Sequence, residues 1–270
     1  MSDPSPTEEP HLLFEHDGHV AVVTLNRPAK NNALSSEMLV RMYDAWLEID
    51  ANPDIRVAIV TGAGGNFCSG ADLKAMAAGH PDNPYSQRFA EDDDLHWKAL
   101  LRHYIPNKPI IAAVEGYAVA GGTEILQAMD IRVAGESATF GVAEVRRGLF
   151  PLGGSTVRLS RQIPYTVAAD LLLTGRFVSA GEARDVGLIG HVVPDGQAVD
   201  KAREIAETIA ANGPVAVQAV LRSMRATREL PEREGLALEL EIGWPVFATE
   251  DAQEGPTAFA EKRPPQFKGR

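Results

Sequence analysis

The sequence predicts a mixed α/β core followed by a helical C-terminal region. Three observations carry that expectation. Strand and helix patterns alternate three times in the first two-thirds of the chain, glycine clusters sit at strand-to-helix turns, and the chain beyond Val193-Pro194 reads as consecutive helices. At 270 residues, 44% of them hydrophobic and 23% charged, the chain can bury a full core.

Residues 1–10 are polar and acidic and read as a disordered lead-in, with neither the basic start nor the apolar run of a signal peptide. His11 to Phe14 and His19 to Leu25 are apolar runs separated by Asp17-Gly18, the pattern of a hairpin. Asn26-Arg27-Pro28 ends the second strand. Ser35 or Ser36 then caps a helix in which Met38, Leu39, Met42, Trp46, Leu47 and Ile49 recur at helical spacing. Val57 to Val60 is a short buried strand that runs into Thr61-Gly62-Ala63-Gly64-Gly65. Gly79 to Asp94, with two prolines and the acidic run Glu91 to Asp94, reads as a mobile surface loop. Pro109 to Val114 is a strand, followed by the turn Ala120-Gly121-Gly122 and an apolar stretch to Met129. Ile131 to Ala134 and Thr139-Phe140 are the strand pieces before Glu144. Residues 198–211, 214–228 and 231–249 are helical patterns, with 251–262 as a last helix, and Ala202, Ile205, Ala206, Ile209 and Ala210 form an apolar stripe.

Composition excludes several classes of function. A net charge of -11 makes nucleic acid a poor partner, because phosphate binding needs clustered Lys and Arg. One cysteine, Cys68, permits neither an internal disulfide nor a Cys-based zinc site. The most apolar stretch, Pro109 to Gly135, is interrupted by Glu115, Glu124 and Asp130 and does not suit a bilayer. A cytoplasmic protein without a metal is the expectation.

Two glycine turns are the candidate sites. Gly62-x-Gly64 is followed by Phe67 rather than a third glycine, and no GK[ST] follows, so neither a dinucleotide fingerprint nor a phosphate loop is present. The continuation Phe67-Cys68-Ser69-Gly70-Ala71 turns sharply at Gly70, and Ala71 is expected to open a helix with its N–H free. Gly121 at the opening of the next helix offers a second free donor, and two such donors can converge as an oxyanion hole. Glu124 stands in the otherwise nearly uncharged stretch Ala118 to Met129; a buried acid is costly unless paired or used, and the bland alternative is a first-turn glutamate facing solvent. Glu144, taken alone, reads as a loop acid beside Arg146-Arg147. Cys68 has no His or Asp partner by spacing, and Gly153-Gly154-Ser155 lacks the spacing of a nucleophile elbow.

In sequence order, Leu25-Asn26-Arg27-Pro28, Asn32-Ala33-Leu34, Gly64 to Lys74, Pro109 to Glu124, Asp130 to Ala134, Phe140-Gly141, Gly153-Gly154, Leu173-Thr174-Gly175 and Ala258 to Arg263 make a specific pattern. With these segments the chain resembles the crotonase, or enoyl-CoA hydratase/isomerase, superfamily from Val20 to Arg270. The resemblance implies a crotonase-like spiral of repeated ββα units as catalytic core over 11–197. It also implies that 198–270 serves oligomerisation and part of the CoA site, in a homotrimer or a dimer of trimers. It places the oxyanion donors at Ala71 and Gly121 and the two catalytic glutamates of family hydratases at Glu124 and Glu144. It further assigns Lys30, Ala33, Asp72, Leu73, Lys74, Phe259 and Lys262 to CoA or substrate binding, with Lys262 contributed from a neighbouring subunit.

The implied activity is reversible hydration of a trans-2-enoyl-CoA, with Glu124 activating water, Glu144 protonating C2 and coenzyme A as part of the substrate rather than a cofactor. Rival readings are an enoyl-CoA isomerase or other lyase of the family, which needs only one acid, and a non-catalytic binding protein on the same fold. The chain departs from the family pattern at Ala120-Gly121-Gly122-Thr123, in place of three glycines and a cysteine, and at Ala143, where proline is common. These departures bear on the acyl group, for which the 79–94 insert leaves room for a medium, long or bulky chain.

Overall fold

A computed structural model of the protein describes residues 9–72 and 85–270. The strands are β1 (Leu12–Asp17), β2 (Val20–Leu25), β3 (Val57–Gly62), β4 (Ile110–Val114), β5 (Tyr117–Val119), β6 (Ile131–Gly135), β7 (Thr139–Gly141), β8 (Val178–Ser179) and β9 (His191–Val193). The main sheet has the order β1-β2-β3-β4-β6-β9. Its first pair is the antiparallel hairpin at Asp17-Gly18, and the remaining pairs are parallel. Central parallel strands are covered on both faces, which is why Val57–Val60 and Ile110–Val114 are continuous apolar runs rather than alternating ones.

The helices are α1 (Ser36–Ala51), α2 (Ser86–Glu91), α3 (Leu95–Ala99), α4 (Gly121–Leu126), α5 (Ser155–Gln162), α6 (Tyr165–Thr174), α7 (Ala180–Asp185), α8 (Ala198–Ala210), α9 (Pro214–Thr227), α10 (Glu232–Gly243) and α11 (Glu250–Glu261). Side chains alternate across the sheet. Ala58 and Val60 join Met38, Met42, Trp46 and Ile49 of α1 on one face, whereas Val57 and Ile59 meet Ala202, Ala206 and Ala210 of α8 on the other. The small alanines of α8 let that helix lie close to the sheet. Ser35 caps α1 by accepting the Met38 N–H at 3.1 Å, and the Trp46 indole N–H donates to the Ala99 carbonyl at 2.9 Å.

A second, smaller sheet has the order β5-β7-β8. Strand β4 passes into β5 and then α4; β6 passes into β7 and then a 3-10 turn at Glu144–Arg147. Each pass therefore lays one strand in each sheet before the chain turns helical, the ββα repeat of a crotonase-like spiral. The turns after β5 and β7 lie at the same end, because β5 and β7 run parallel. That places Gly121, Glu124 and Glu144 in one neighbourhood.

Two segments differ from expectation. The expected loop over 79–94 contains a helix at Ser86–Glu91, held to α1 by a bidentate Arg88–Asp44 pair at 2.8 and 3.3 Å; residues 79–84 lie outside the described residues. The expected helix over 231–249 stops at Gly243, where Trp244-Pro245 converts it to a 3-10 turn. Ala71 itself forms a parallel bridge to Leu34, and the residues 73–84 over which the expected helix would run lie outside the described residues. No helix among the described residues is long and apolar enough to cross a membrane.

Candidate active site

The two glycine turns meet. Gly70 has φ +87°, and a Cβ there would lie 2.9 Å from the Gly121 nitrogen and 2.8 Å from the Ala120 Cβ, so only glycine allows this approach. A Cβ on Gly121 would in turn stand 3.8 Å from the Ala71 nitrogen. The Ala71 and Gly121 N–H groups are thus near neighbours, and neither donates to another group among the described residues. Ala71 is set by Leu34, whose N–H donates to the Gly70 carbonyl at 2.8 Å and whose carbonyl accepts from Asp72. Gly121 is set by Ala120, a non-glycine residue at φ 51°, ψ -125°. Backbone strain of this kind persists only where surroundings enforce it. Here the Ala120 N–H donates to the Gly141 carbonyl at 2.7 Å, and the buried Thr123 hydroxyl bridges the Ala118 carbonyl and the Gly141 N–H.

Glu124, in the first turn of α4, is buried. Burial raises its carboxyl pKa, while hydrogen bonds from Ser155 and Gly153 and the charge of Arg158 oppose the rise. The Ser155 N–H donates to Oε1 at 3.2 Å. Gly153 allows the approach, since a Cβ there would meet Glu124 Oε2 at 2.7 Å. The Arg102 guanidinium donates to the Leu152 carbonyl, which fixes the peptide carrying the Gly153 N–H, and that of Arg158 donates to the next carbonyl, Gly153.

Glu144 opens the 3-10 turn after β7. Burial, and then the neighbouring Glu124 carboxylate, push its carboxyl up to about 7. Its Oε2 is buried without a hydrogen-bond partner among the described residues. Two acids of the same type therefore sit together in different settings: Glu124 faces donors from Gly153 and Ser155, whereas Glu144 has only its own backbone N–H.

The other candidates fall into separate places. Ala33 is buried beside the turn that carries Ala71, and Lys30 is exposed on the 3-10 turn Pro28–Lys30. Asp72 pairs with Arg27 at 3.1 Å. Leu73 and Lys74 lie outside the described residues. Phe259, on α11, is 87% exposed, and Lys262 caps the end of that helix in the left-handed conformation. Burial pushes the Cys68 thiol up to about 12, so it is a packed side chain rather than a nucleophile.

Sequence reasoning passed over residues that build the site indirectly. Asn32, fully buried, donates to the Ala63 and Asn66 carbonyls at 2.9 and 2.6 Å and accepts from the Arg27 N–H, which latches the two N-terminal turns together. Thr123, Gln127 and Ser155 are the others. A buried amide or hydroxyl in an apolar stretch must find partners, and Gln127 within Ala118–Met129 carried that signal.

The enoyl-CoA hydratase/isomerase family matches residues 15–270. The chain belongs to this family. Among its relatives, enoyl-CoA hydratase EchA19 of Mycobacterium tuberculosis is 56% identical over 97% of each chain. The (E)-benzylidenesuccinyl-CoA hydratase of Thauera aromatica is 40% identical over 96% of this chain and 99% of its own. A crystal structure of enoyl-CoA hydratase from Mycobacterium tuberculosis superposes with a TM-score of 0.88 at 39% identity, covering 97% of this chain and 100% of that one.

Proposed function

We propose that the chain is an enoyl-CoA hydratase that adds water reversibly, in syn fashion, across the 2,3 double bond of a trans-2-enoyl-CoA. The observation that carries this is the unequal pair Glu124 and Glu144 beside the Ala71 and Gly121 N–H groups. Water attacks C3 as Glu124, its anion supported by donors, takes the water proton. Negative charge moves through the C2–C1 unit onto the thioester oxygen, where the two N–H groups meet it with no reorganisation, worth about 3–4 kcal/mol per donor. Glu144, protonated near neutral pH, delivers its proton to C2. The orphaned Glu144 oxygen suits a water shared between the two acids. General acid–base help of this kind contributes about 10²–10⁴-fold.

The reaction needs no metal and no cofactor beyond the CoA of the substrate. In this reading Lys30, Ala33, Asp72, Leu73 and Lys74 lie along the CoA arm, and Phe259 and Lys262 reach a neighbouring subunit's site in a cytoplasmic homotrimer or dimer of trimers. Exposure of Phe259 in the single chain supports that last placement. The names of the relatives span several acyl groups, so the test is a panel of 2-enoyl-CoA thioesters, from short to long to ring-bearing, followed by loss of enoyl-thioester absorbance. Glu144→Gln is expected to keep its fold and CoA binding and lose at least about a hundredfold in hydration. A purified chain that consumes no member of the panel, or a variant with unchanged turnover, overturns the proposal.

A further inference from the structure

We propose that Ser155, oriented by Gln127, is a positioning residue that holds Glu124 in its ionised, proton-accepting state. The inference rests on the hydratase reading above and adds to it two residues outside the reacting set. Ser155 is fully buried and Gln127 is 2% exposed. Their polar atoms form a chain that ends on the base: the Gln127 amide N–H donates to the Ser155 hydroxyl at 2.8 Å, and Ser155 donates its backbone N–H to Glu124 at 3.2 Å, with its hydroxyl close enough to favour the ionised carboxyl.

The direction of this chain follows from donor counting. A serine hydroxyl has one hydrogen. With Glu124 ionised, that hydrogen goes to the charged acceptor, where a hydrogen bond is strongest, and the lone pair of Ser155 is left for the Gln127 amide. The Gln127 backbone is fixed in place, since its main-chain carbonyl accepts from the Arg132 guanidinium at 2.9 Å and the Gln162 amide at 2.8 Å, while the side-chain Oε1 is buried without a partner among the described residues. The charged groups facing Glu124 are Glu144 on the 3-10 turn, which disfavours its ionisation, and Arg158 on α5, which favours it. Arg158 is drawn toward the Leu101 and Gly153 carbonyls and does not bond the carboxyl directly, so Ser155 supplies the oriented donors.

Ser155→Ala deletes the hydroxyl but keeps the backbone donor, and Gln127→Met keeps the volume of Gln127 but frees the hydroxyl to rotate. Two readouts decide. The first is infrared titration of the protonated-carboxyl band, assigned to Glu124 by comparison with Glu124→Gln and Glu144→Gln. The second is the pH profile of kcat/KM.

In Ser155→Ala the Glu124 titration and the acid limb of the profile both move to higher pH. Activity on that limb falls about tenfold, the factor for about 1.4 kcal/mol, whereas the plateau and KM change less than about threefold. Gln127→Met moves both in the same direction by less, and the double variant moves no further than Ser155→Ala. A uniform loss at every pH, an unmoved Glu124 titration, or additive shifts in the double variant would overturn the inference. The titration needs no turnover, so it still decides the role of Ser155 if the substrate panel refutes hydration.

Discussion

Glu144→Gln should stabilise the protein while disabling it, and the gain should depend on pH. In the folded chain the Glu144 carboxyl is raised from an ordinary 4.5 to about 7 by burial and by Glu124. An acid whose folded pKa lies above its unfolded value weakens the fold when ionised. Below pH 4.5 the group is protonated in both states and costs nothing. The cost grows between pH 4.5 and 7 and is constant above that. For a fully enclosed carboxyl it would reach about 3 kcal/mol at pH 8. Glu144 is half-buried, and solvent screening reduces the figure to about 1–2 kcal/mol.

Glutamine has the same shape, never ionises, and offers an N–H toward the Glu124 carboxylate. Thermal unfolding at fixed protomer concentration should give wild-type and variant midpoints within about 1 °C at pH 4.5 and a variant higher by about 3–6 °C at pH 8. An equal gain at both pH values, or a loss at pH 8, would refute the electrostatic account of Glu144.

Other expectations follow from the same geometry. Gly70→Ala puts a Cβ against Ala120 and the Gly121 nitrogen at a positive φ, so the donor turns must separate; kcat/KM should fall about 10²–10³-fold with the protein still folded by circular dichroism. Thr123→Val leaves the Gly141 N–H without its partner inside the core and should cost about 1–3 kcal/mol in denaturant unfolding, together with a drop in kcat as Ala120 relaxes. The wild-type pH profile for hydration should be a narrow bell, since the base must be ionised and the acid protonated, with an alkaline limb near 7 that disappears from the residual activity of Glu144→Gln.

Much of the fold was legible because its signals are local. The hairpin at Asp17-Gly18, the Ser35 cap and the buried runs of β3 and β4 follow from residue type and spacing alone. What escaped depends on partners distant in sequence. Helix α2 is six residues long, too short to stand alone, and depends on Arg88 meeting Asp44. Helix α5 carries no apolar stripe beyond Leu159: Ser155 turns toward Glu124 and Arg158 toward backbone carbonyls. In the site, the family resemblance singled out Glu124 and Glu144, but nothing in the sequence shows that residue 155 answers residue 124. Arg27 was legible only as a strand-ending residue and Asn32 only as part of the Asn32-Ala33-Leu34 segment, whereas their hydrogen bonds run to Ala63, Asn66 and Asp72.

The division of labour between the two acids is therefore a property of the backbone around them. Burial alone would push both carboxyls upward together, and their mutual repulsion would leave one proton shared without preference. The asymmetry comes from the turn Leu152-Gly153-Gly154-Ser155, which faces Glu124 with two N–H groups and a hydroxyl at the start of α5, while Glu144 has only its own backbone N–H and its Oε2 has no partner among the described residues. In the proposed mechanism the shared proton is thus drawn to Glu144, on the side from which C2 would be protonated. Weakening the donors on Glu124 should return the pair toward equivalence, which is why an acid-limb shift in Ser155→Ala and the loss of the alkaline limb in Glu144→Gln test one arrangement from its two ends.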